Sequence, residues 1–153
     1  MSSDSRNTEV EKKMFNAIAE KAAVYEEIDF AILFGSYALG KATALSDIDL
    51  GFFFNRDLSL LELGGLVSAF EAVTRKKIEI TVLNNLYRKE PAFCFEIISS
   101  GKLLYCKDQT GYIEFKKNTY LRYLDTQWLR EQTRSGLKTR IETGRTGERN
   151  YVG

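Results

Sequence analysis

The spacing of hydrophobic residues along the 153-residue chain changes several times between helical and strand periods. Three segments repeat apolar side chains at the spacing of amphipathic helices, and a fourth begins at a proline suited to a first helical turn. Three short apolar or alternating runs are typical of strands, and a shorter one fits an edge strand. This mixture predicts an α/β (α+β) domain, with a small mixed, twisted sheet and flanking helices mainly on one face. The predicted helices are residues 8–25, 60–73, 91–100 and 110–133, and the predicted strands are residues 28–34, 48–54, 77–83 and 103–105.

Local signals define the ends of two predicted helices. Ser59 followed by Glu62 has the spacing of a capping box at the start of the second helix. Gly101 is placed to end the third helix. Gly64 and Gly65 lie inside the second helix, where each costs about 1 kcal/mol relative to alanine. They are tolerable there if the helix packs very close to the sheet.

The composition is that of a globular domain, with 44% apolar residues, 28% charged residues and a formal net charge of +1. This small charge gives no overall attraction to nucleic acid or to an anionic membrane. The charge is uneven, because residues 134–153 contain five basic and two acidic side chains. We therefore predict a folded domain over residues 1–133 and a basic C-terminal tail over residues 134–153 that a partner chain would order. A solvated terminus and an RNA contact are the alternatives for this tail.

The last predicted helix carries an apolar stripe that is wider and more aromatic than one sheet face usually needs. Core packing and partner binding both account for such an excess. The stripe consists of Tyr112, Ile113, Tyr120, Leu121, Leu124, Trp128 and Leu129.

Residue types that are rare or absent bear on the cellular location of the protein and on the catalytic and metal sites that it can form. Cys94 and Cys106 both adjoin large apolar residues, which favours buried thiols over a disulfide framework. No apolar run approaches the roughly 20 residues that span a bilayer, and the N-terminus lacks the pattern of a secretory signal. We therefore expect a cytoplasmic protein. Histidine is absent, which excludes histidine-based acid–base catalysis and zinc sites with histidine ligands.

A glycine–serine turn and three acidic residues mark the candidate site. Gly35 and Ser36 follow the first strand and open a segment with room for a turn or two of helix, where free N–H groups favour phosphate. Asp47 and Asp49 are two residues apart at the second strand, so their carboxylates project to the same face. Glu79, on the polar face of the third strand, supplies a third carboxylate. Three carboxylates on neighbouring strands can hold two Mg²⁺ ions, which suits a nucleoside triphosphate.

The order of these residues carries a family resemblance. Gly35-Ser36, ten further residues and then Asp47-Ile48-Asp49 resemble the signature of the polymerase-β-like nucleotidyltransferases, and Glu79 stands at the position of their third acidic residue. The short chain and the stretch C-F-E-I-I-S-S-G-K-L-L-Y before a long final helix are similar to the minimal nucleotidyltransferases (MNT). In particular, they resemble the antitoxins that are encoded beside HEPN-family ribonuclease toxins.

This resemblance implies an activity and assigns roles to residues. It implies transfer of AMP from ATP, with two Mg²⁺ ions, to a tyrosine of a cognate HEPN toxin, which inactivates the toxin. The partner would then be that toxin in a hetero-oligomer, with no membrane. Gly35 and Ser36 would bind the triphosphate, Asp47 and Asp49 would bind both metals, and Glu79 would bind metal and activate the acceptor.

Two positions depart from the family pattern, and two other functions stay open. Many members have aspartate where Glu79 stands and arginine where Leu39 stands, so Lys41 is the candidate replacement for a phosphate-binding cation. An ordinary solvated lysine is the alternative for that residue. The chain could instead modify a small molecule such as an aminoglycoside, although no second acidic cluster is evident to line a polycation pocket. It could also be an antitoxin that neutralises its toxin by binding alone.

Overall fold

The computed structural model describes the backbone of residues 2–143 and the side chains of residues 8–129 and 131. In these residues a four-stranded sheet lies between two groups of helices. The elements are α1 (Ser2–Val24), β1 (Ile28–Phe34), a 3-10 turn (Gly35–Tyr37), β2 (Ile48–Phe54), α2 (Leu60–Thr74), β3 (Ile78–Val82), α3 (Leu86–Lys89), α4 (Pro91–Ser100), β4 (Lys102–Cys106) and α5 (Gln109–Thr143).

The sheet is mixed, with the strand order β3-β2-β1-β4. β1 pairs antiparallel with both β2 and β4, whereas β2 and β3 are parallel. Helix α2 makes the crossover that a parallel pair requires. The predicted bounds of β1 and β2 are confirmed, β3 is one residue shorter at each end, and β4 lies at the predicted edge.

Helices cover both faces of the sheet, so the expectation that they lie mainly on one face is wrong. On one face α1 and α2 contribute Ile18 and Phe70 to a core with Leu33 of β1. On the other face Ile97 of α4 and Phe115 of α5 pack in a second core that includes Ile32 of β1. Apart from Asp29 near its start, central strand β1 is therefore apolar along both faces, because each face meets a different group of helices.

Helix α2 begins at the predicted capping box and continues without a break. The Ser59 hydroxyl accepts a hydrogen bond from the Glu62 N–H at 3.1 Å, and the Glu62 carboxylate accepts one from the Ser59 N–H at 3.1 Å. A Cβ added at Gly64 or Gly65 would meet nothing within 4 Å. These glycines therefore do not pack closely on the sheet, and both face outward.

Helix α5 is longer than predicted and is only partly a core element. Phe115 and Thr119 are buried, and the Thr119 hydroxyl donates to the Phe115 carbonyl at 2.8 Å. Much of the predicted apolar stripe is exposed instead: Ile113, Leu121, Leu124, Trp128 and Leu129. The helix passes the predicted domain boundary at residue 133 and reaches Thr143, the last described residue. The division between domain and tail stays a prediction, and residues 144–153 lie outside the described part of the chain.

Both cysteines are free thiols, as predicted. Cys94 is buried beside Thr119, with the Sγ and Oγ1 atoms 3.3 Å apart, and Cys106 is half-buried. Burial raises the pKa of both thiols, so neither is an activated nucleophile. Within residues 2–143, no helix is both long enough and apolar enough to cross a membrane.

We predict that Gly101→Ala destabilises the fold whereas Gly64→Ala stabilises it. A Cβ at Gly101 would overlap the Ile97 carbonyl oxygen and lie 2.7 Å from Cγ2 of Ile32, so backbone must move. We expect a loss of about 2 kcal/mol in the free energy of unfolding. Alanine at the open helical position 64 should add about 0.5–1 kcal/mol. Urea titrations of dilute protein, followed by circular dichroism, measure both changes, and equal effects of the two variants would contradict the packing described.

Candidate active site

The turn after β1 brings backbone N–H groups to the end of the sheet. Gly35 has φ +74°, in the left-handed region that favours glycine, and the 3-10 turn follows it at once. The N–H groups of Ala38 and Leu39 both donate to the Gly35 carbonyl, at 3.1 and 3.2 Å. The earlier N–H groups of Ser36 and Tyr37 have no acceptor among the described residues and are available to an anion.

Strand register brings the three predicted acidic residues together. Asp49 on β2 pairs directly with Glu79 on the parallel strand β3. Asp47 lies one residue before β2, so it projects to the same face of the sheet as Asp49, as predicted. The intervening Ile48 and the next residue, Leu50, are completely buried on the opposite face. The three carboxylates thus meet at the end of two adjacent strands.

Gly35 lies directly against one of these carboxylates. Phe34 is the residue of β1 that pairs with Asp49, so the chain turns at Gly35 immediately beside the Asp49 side chain. A Cβ built at Gly35 would overlap the Asp49 Oδ2 atom. Only glycine therefore allows both the positive φ and this close approach. The turn and the carboxylates form one site.

The electrostatics of Asp49 reflect its crowded position. Burial, followed by a hydrogen bond and the negative charge of Glu79 and then the charge of Asp47, raises the pKa of Asp49 to about 6. Each cause disfavours the ionised carboxylate, so the site is unfavourable for negative charge without a counterion. A divalent cation would reverse this balance by favouring the ionised form.

The donors fit Mg²⁺ in their chemistry. Carboxylate oxygens are the ligands that this ion takes in proteins, and Asp47, Asp49 and Glu79 supply oxygens from two neighbouring strands. Among the described residues, no group of three or more such side chains is already arranged so that it could hold a metal ion. The fit therefore rests on the donor set and on the raised pKa of Asp49.

A short turn that the sequence analysis missed supports Asp47. The Ser46 hydroxyl accepts from the Thr43 N–H at 2.8 Å, and the Ser46 N–H donates to the Thr43 carbonyl at 3.1 Å. The N–H of Ile48 then donates to the Lys77 carbonyl at 2.9 Å, which ties the start of β2 to β3. The Thr-x-x-Ser spacing was the available signal, since these residues commonly bond neighbouring backbone.

Two further residues define the surroundings of the turn. Tyr37 is 4% exposed and anchors the turn in the core between the sheet and α1 and α2, a support that the sequence analysis did not single out. Lys41 is exposed, and its N–H donates to the Ser36 carbonyl at 2.9 Å, so its backbone is fixed beside the turn. Leu39, with 51% of its surface exposed, has no core role that would restrict its side chain.

Two clefts in the described part of the chain do not contain the carboxylates of the site. One, of about 350 Å³, is lined by Met14, Tyr37, Thr43 and their neighbours behind the turn. The other, of about 310 Å³, lies at the far ends of β2 and β3 and includes Phe53 and Asn84. Glu79 itself is exposed. Glu79 is therefore the carboxylate that a large acceptor can reach most readily, whereas Asp47 and Asp49 are partly buried.

The chain belongs to the polymerase β nucleotidyltransferase family. The model of that family, described as "Polymerase beta, Nucleotidyltransferase", matches residues 16–110, which include all six candidate site residues. No curated protein matches the chain significantly.

Solved structures with the same fold include toxin–antitoxin complexes. A toxin–antitoxin structure with AMP-PNP aligns with a TM-score of 0.67 and 20% identity, over 81% of this chain and 98% of the other. The tri-AMPylated HEPN toxin of Shewanella oneidensis in complex with its MNT antitoxin aligns with a TM-score of 0.62 and 18% identity, over 84% and 98%. The toxin–antitoxin pair MntA–HepT gives 0.58 and 17%, over 86% and 98%. At these identities the likeness establishes the fold, and the predicted fold class is confirmed.

We predict that Asp49→Asn raises the midpoint of thermal unfolding of the metal-free chain near neutral pH. Because folding raises the pKa of Asp49 from 3.8 to about 6, its ionisation destabilises the folded state fully above pH about 6, and this cost is relieved as the pH falls from about 6 towards 3.8. The rise in the unfolding midpoint that Asp49→Asn causes should therefore become smaller in acid. Thermal unfolding measured in the presence of a chelator across this pH range tests the prediction.

Mg²⁺ should raise the melting midpoint of the parent chain, because it binds only the folded site, and should have little effect on the midpoint of Asp49→Asn. Glu20→Gln, on the exposed surface of α1, is the matched control and should behave as the parent in both tests. A parent chain that Mg²⁺ leaves unchanged would contradict the predicted metal site.

Proposed function

We propose that this chain is an antitoxin nucleotidyltransferase that transfers AMP from ATP to a tyrosine of a cognate HEPN ribonuclease toxin. The observation that carries the proposal is the close approach of Gly35 to Asp49, because the turn that would bind phosphate then lies directly against the carboxylates. Family membership supports the reaction class. The fold shared with an antitoxin bound to a tri-AMPylated toxin supports the acceptor and the partner.

The residues at the turn would bind the triphosphate. The N–H groups of Ser36 and Tyr37 are unused and adjoin the positive φ of Gly35, so they can donate to phosphate oxygens. The Ser36 hydroxyl makes no hydrogen bond to a described residue and can add a third donor. The exposed Lys41, held beside this turn by its own N–H, is the candidate for the missing family arginine.

The carboxylates would divide into a metal-binding pair and an acceptor-facing residue. Asp47 and Asp49 would hold two Mg²⁺ ions, and Glu79 would complete their ligands. The ions would neutralise the triphosphate and make the attacking hydroxyl more acidic. Glu79 is the exposed member of the three, so it would be the carboxylate that accepts the proton of the acceptor tyrosine.

The bond changes in this reaction are those of an in-line displacement. The tyrosine Oη attacks the α-phosphorus of ATP, the bond from that phosphorus to the bridging oxygen breaks, and pyrophosphate leaves. The acceptor retains AMP in a phosphodiester linkage. Charge on the α-phosphoryl oxygens grows in the transition state, where the donors of the turn would stabilise it.

The exposed part of α5 supports a protein partner over a small-molecule acceptor. Leu121, Leu124 and Trp128 follow one another at helical spacing, and about half of each side chain is exposed. No described element of this chain covers them. A partner helix or surface would bury them, and the resulting hetero-oligomer would hold the acceptor near Glu79.

We predict that incubation with labelled ATP, Mg²⁺ and the product of the adjacent gene labels that product. The mass of the product should rise by increments of AMP, and its ribonuclease activity should fall. Asp47→Asn with Asp49→Asn should reduce labelling by more than the roughly 100-fold that loss of an outer-shell metal contact costs. Glu20→Gln should label normally.

The other functions give different outcomes in the same experiment. If the double variant still silences the unlabelled toxin, neutralisation is by binding, and the enzymatic proposal fails. If the toxin is neither bound nor labelled while cells expressing the chain alone resist an aminoglycoside, the small-molecule alternative is correct.

We predict that Lys41→Gln weakens ATP binding about tenfold, which corresponds to about 1.4 kcal/mol. Leu39→Arg, introduced into that variant, should restore the affinity, because position 39 is exposed on the same turn and nothing packs it in place. Isothermal titration with a non-hydrolysable ATP analogue and Mg²⁺ measures both changes. Lys12→Gln, on the exposed surface of α1, is the control for a general charge effect. Unchanged affinity in Lys41→Gln would leave Lys41 an ordinary solvated lysine.

A further inference from the structure

Every exposed position of α2 except Glu62 carries an uncharged residue. We define the α2 face as Leu61, Gly64, Gly65, Ser68 and Ala72, all of which are exposed. Leu61 leaves 87% of its surface uncovered, and so does its neighbour Leu60. A helix on a protein surface normally turns polar and charged residues outward, so an apolar outward face indicates a contact surface.

The two charged residues of α2 are both occupied within the chain. Glu62 closes the capping box and forms a 2.6 Å salt bridge with Arg56, whose hydrogen bond lowers the pKa of Glu62 to about 2. The Glu71 carboxylate accepts a hydrogen bond from the Ile78 N–H at 3.1 Å. Glu62 is thus exposed beside the α2 face with its charge paired by Arg56, and Glu71 is half-buried.

Helix α1, which packs beside α2 on the same side of the sheet, provides the contrast. Its exposed positions include Glu9, Lys12, Lys13 and Glu20. The lack of charge is therefore specific to α2 and is not a property of this side of the molecule. The two adjacent glycines add a second distinction, because they let another backbone come closer than the usual 8–10 Å between helix axes.

We propose that a second copy of this chain packs on the α2 face, with the two α2 helices antiparallel about a two-fold axis. This contact goes beyond the proposed enzymatic function. An uncharged, small-residue face is complementary to itself, since two copies can meet without bringing like charges together. Leu61 of each copy would lie over the Ala72 end of the other helix.

The charges at the two ends of α2 favour this antiparallel arrangement. The exposed Asp57 lies just before the N-terminus, where the charge of the neighbouring Arg56 is paired with Glu62, whereas the exposed Arg75 and Lys77 lie just after the C-terminus. A two-fold axis near the middle of the helix would place the acidic end of each copy beside the basic end of the other, twice. The opposed dipoles of two antiparallel helices also favour this arrangement. A parallel pair would instead oppose like charges.

The proposed contact leaves both active sites accessible. Ile48 and Leu50 point into the core beneath α1 and α2, so Asp47 and Asp49 point to the opposite face of the sheet. One helix face buries less than the roughly 800 Å² per partner of a standard interface. We therefore expect a dissociation constant in the micromolar range.

Sedimentation velocity of the full chain, from about 1 to 200 µM, tests this dimer around its expected dissociation constant. The parent chain should pass from monomer to dimer, and Gly64→Lys should remain monomeric. Lysine favours helix more than glycine does, so the fold should survive, and thermal melting verifies this. Ala92→Lys, at an exposed position on α4, is the matched control and should dimerise as the parent.

Exchanging the charges at the two ends of α2 distinguishes self-association through this face from other contacts. Asp57→Arg and Arg75→Asp should each weaken the dimer about tenfold, and the double variant should recover it, because each altered residue then faces its altered partner. A parent that is monomeric throughout, or a dimer that Gly64→Lys leaves intact, overturns the proposal. So does protection of the α2 face from hydrogen exchange only when the toxin is added, which would assign the face to that partner.

Discussion

The contact between Gly35 and the Asp49 carboxylate is the constraint on which the rest of the site depends. Pairing of Phe34 with Asp49 fixes where β1 ends, and the chain must turn there over a carboxylate with no room for a Cβ. The same contact brings the unused N–H groups of the turn to the carboxylates. A phosphate and a cation bound to it would thus be held by one rigid element instead of by two separate loops.

The packing of β2 in the sheet holds the Asp49 carboxylate beside that of Glu79 despite the repulsion between them. Ile48 and Leu50 are completely buried on either side of Asp49 in the chain, so β2 cannot rotate to move the carboxylate away from Glu79. The raised pKa of Asp49 reflects this confinement. The fold therefore keeps together charges that only a bound cation would stabilise, which is the arrangement expected of a metal-dependent phosphoryl-transfer site.

The surfaces of the molecule divide according to the sheet face from which they project. The carboxylates and α5 lie on the side of α3, α4 and the second core, and α5 exposes Leu124 and Trp128 where a partner can dock. The α2 face lies on the other side. Substrate modification and self-association would then use separate surfaces, and neither would block the other.

The sequence by itself determined the features that depend on local rules: the bounds of β1, β2 and α4, and the capping box at Ser59. It also identified the candidate residues, because a glycine directly after a strand and two aspartates separated by one residue are local patterns. Only the tertiary structure decided that helices cover both sheet faces, that Gly64 faces outward and that Gly35 touches Asp49. Periodicity identifies an apolar face without identifying what packs against it, since burial depends on contacts between residues far apart in the chain.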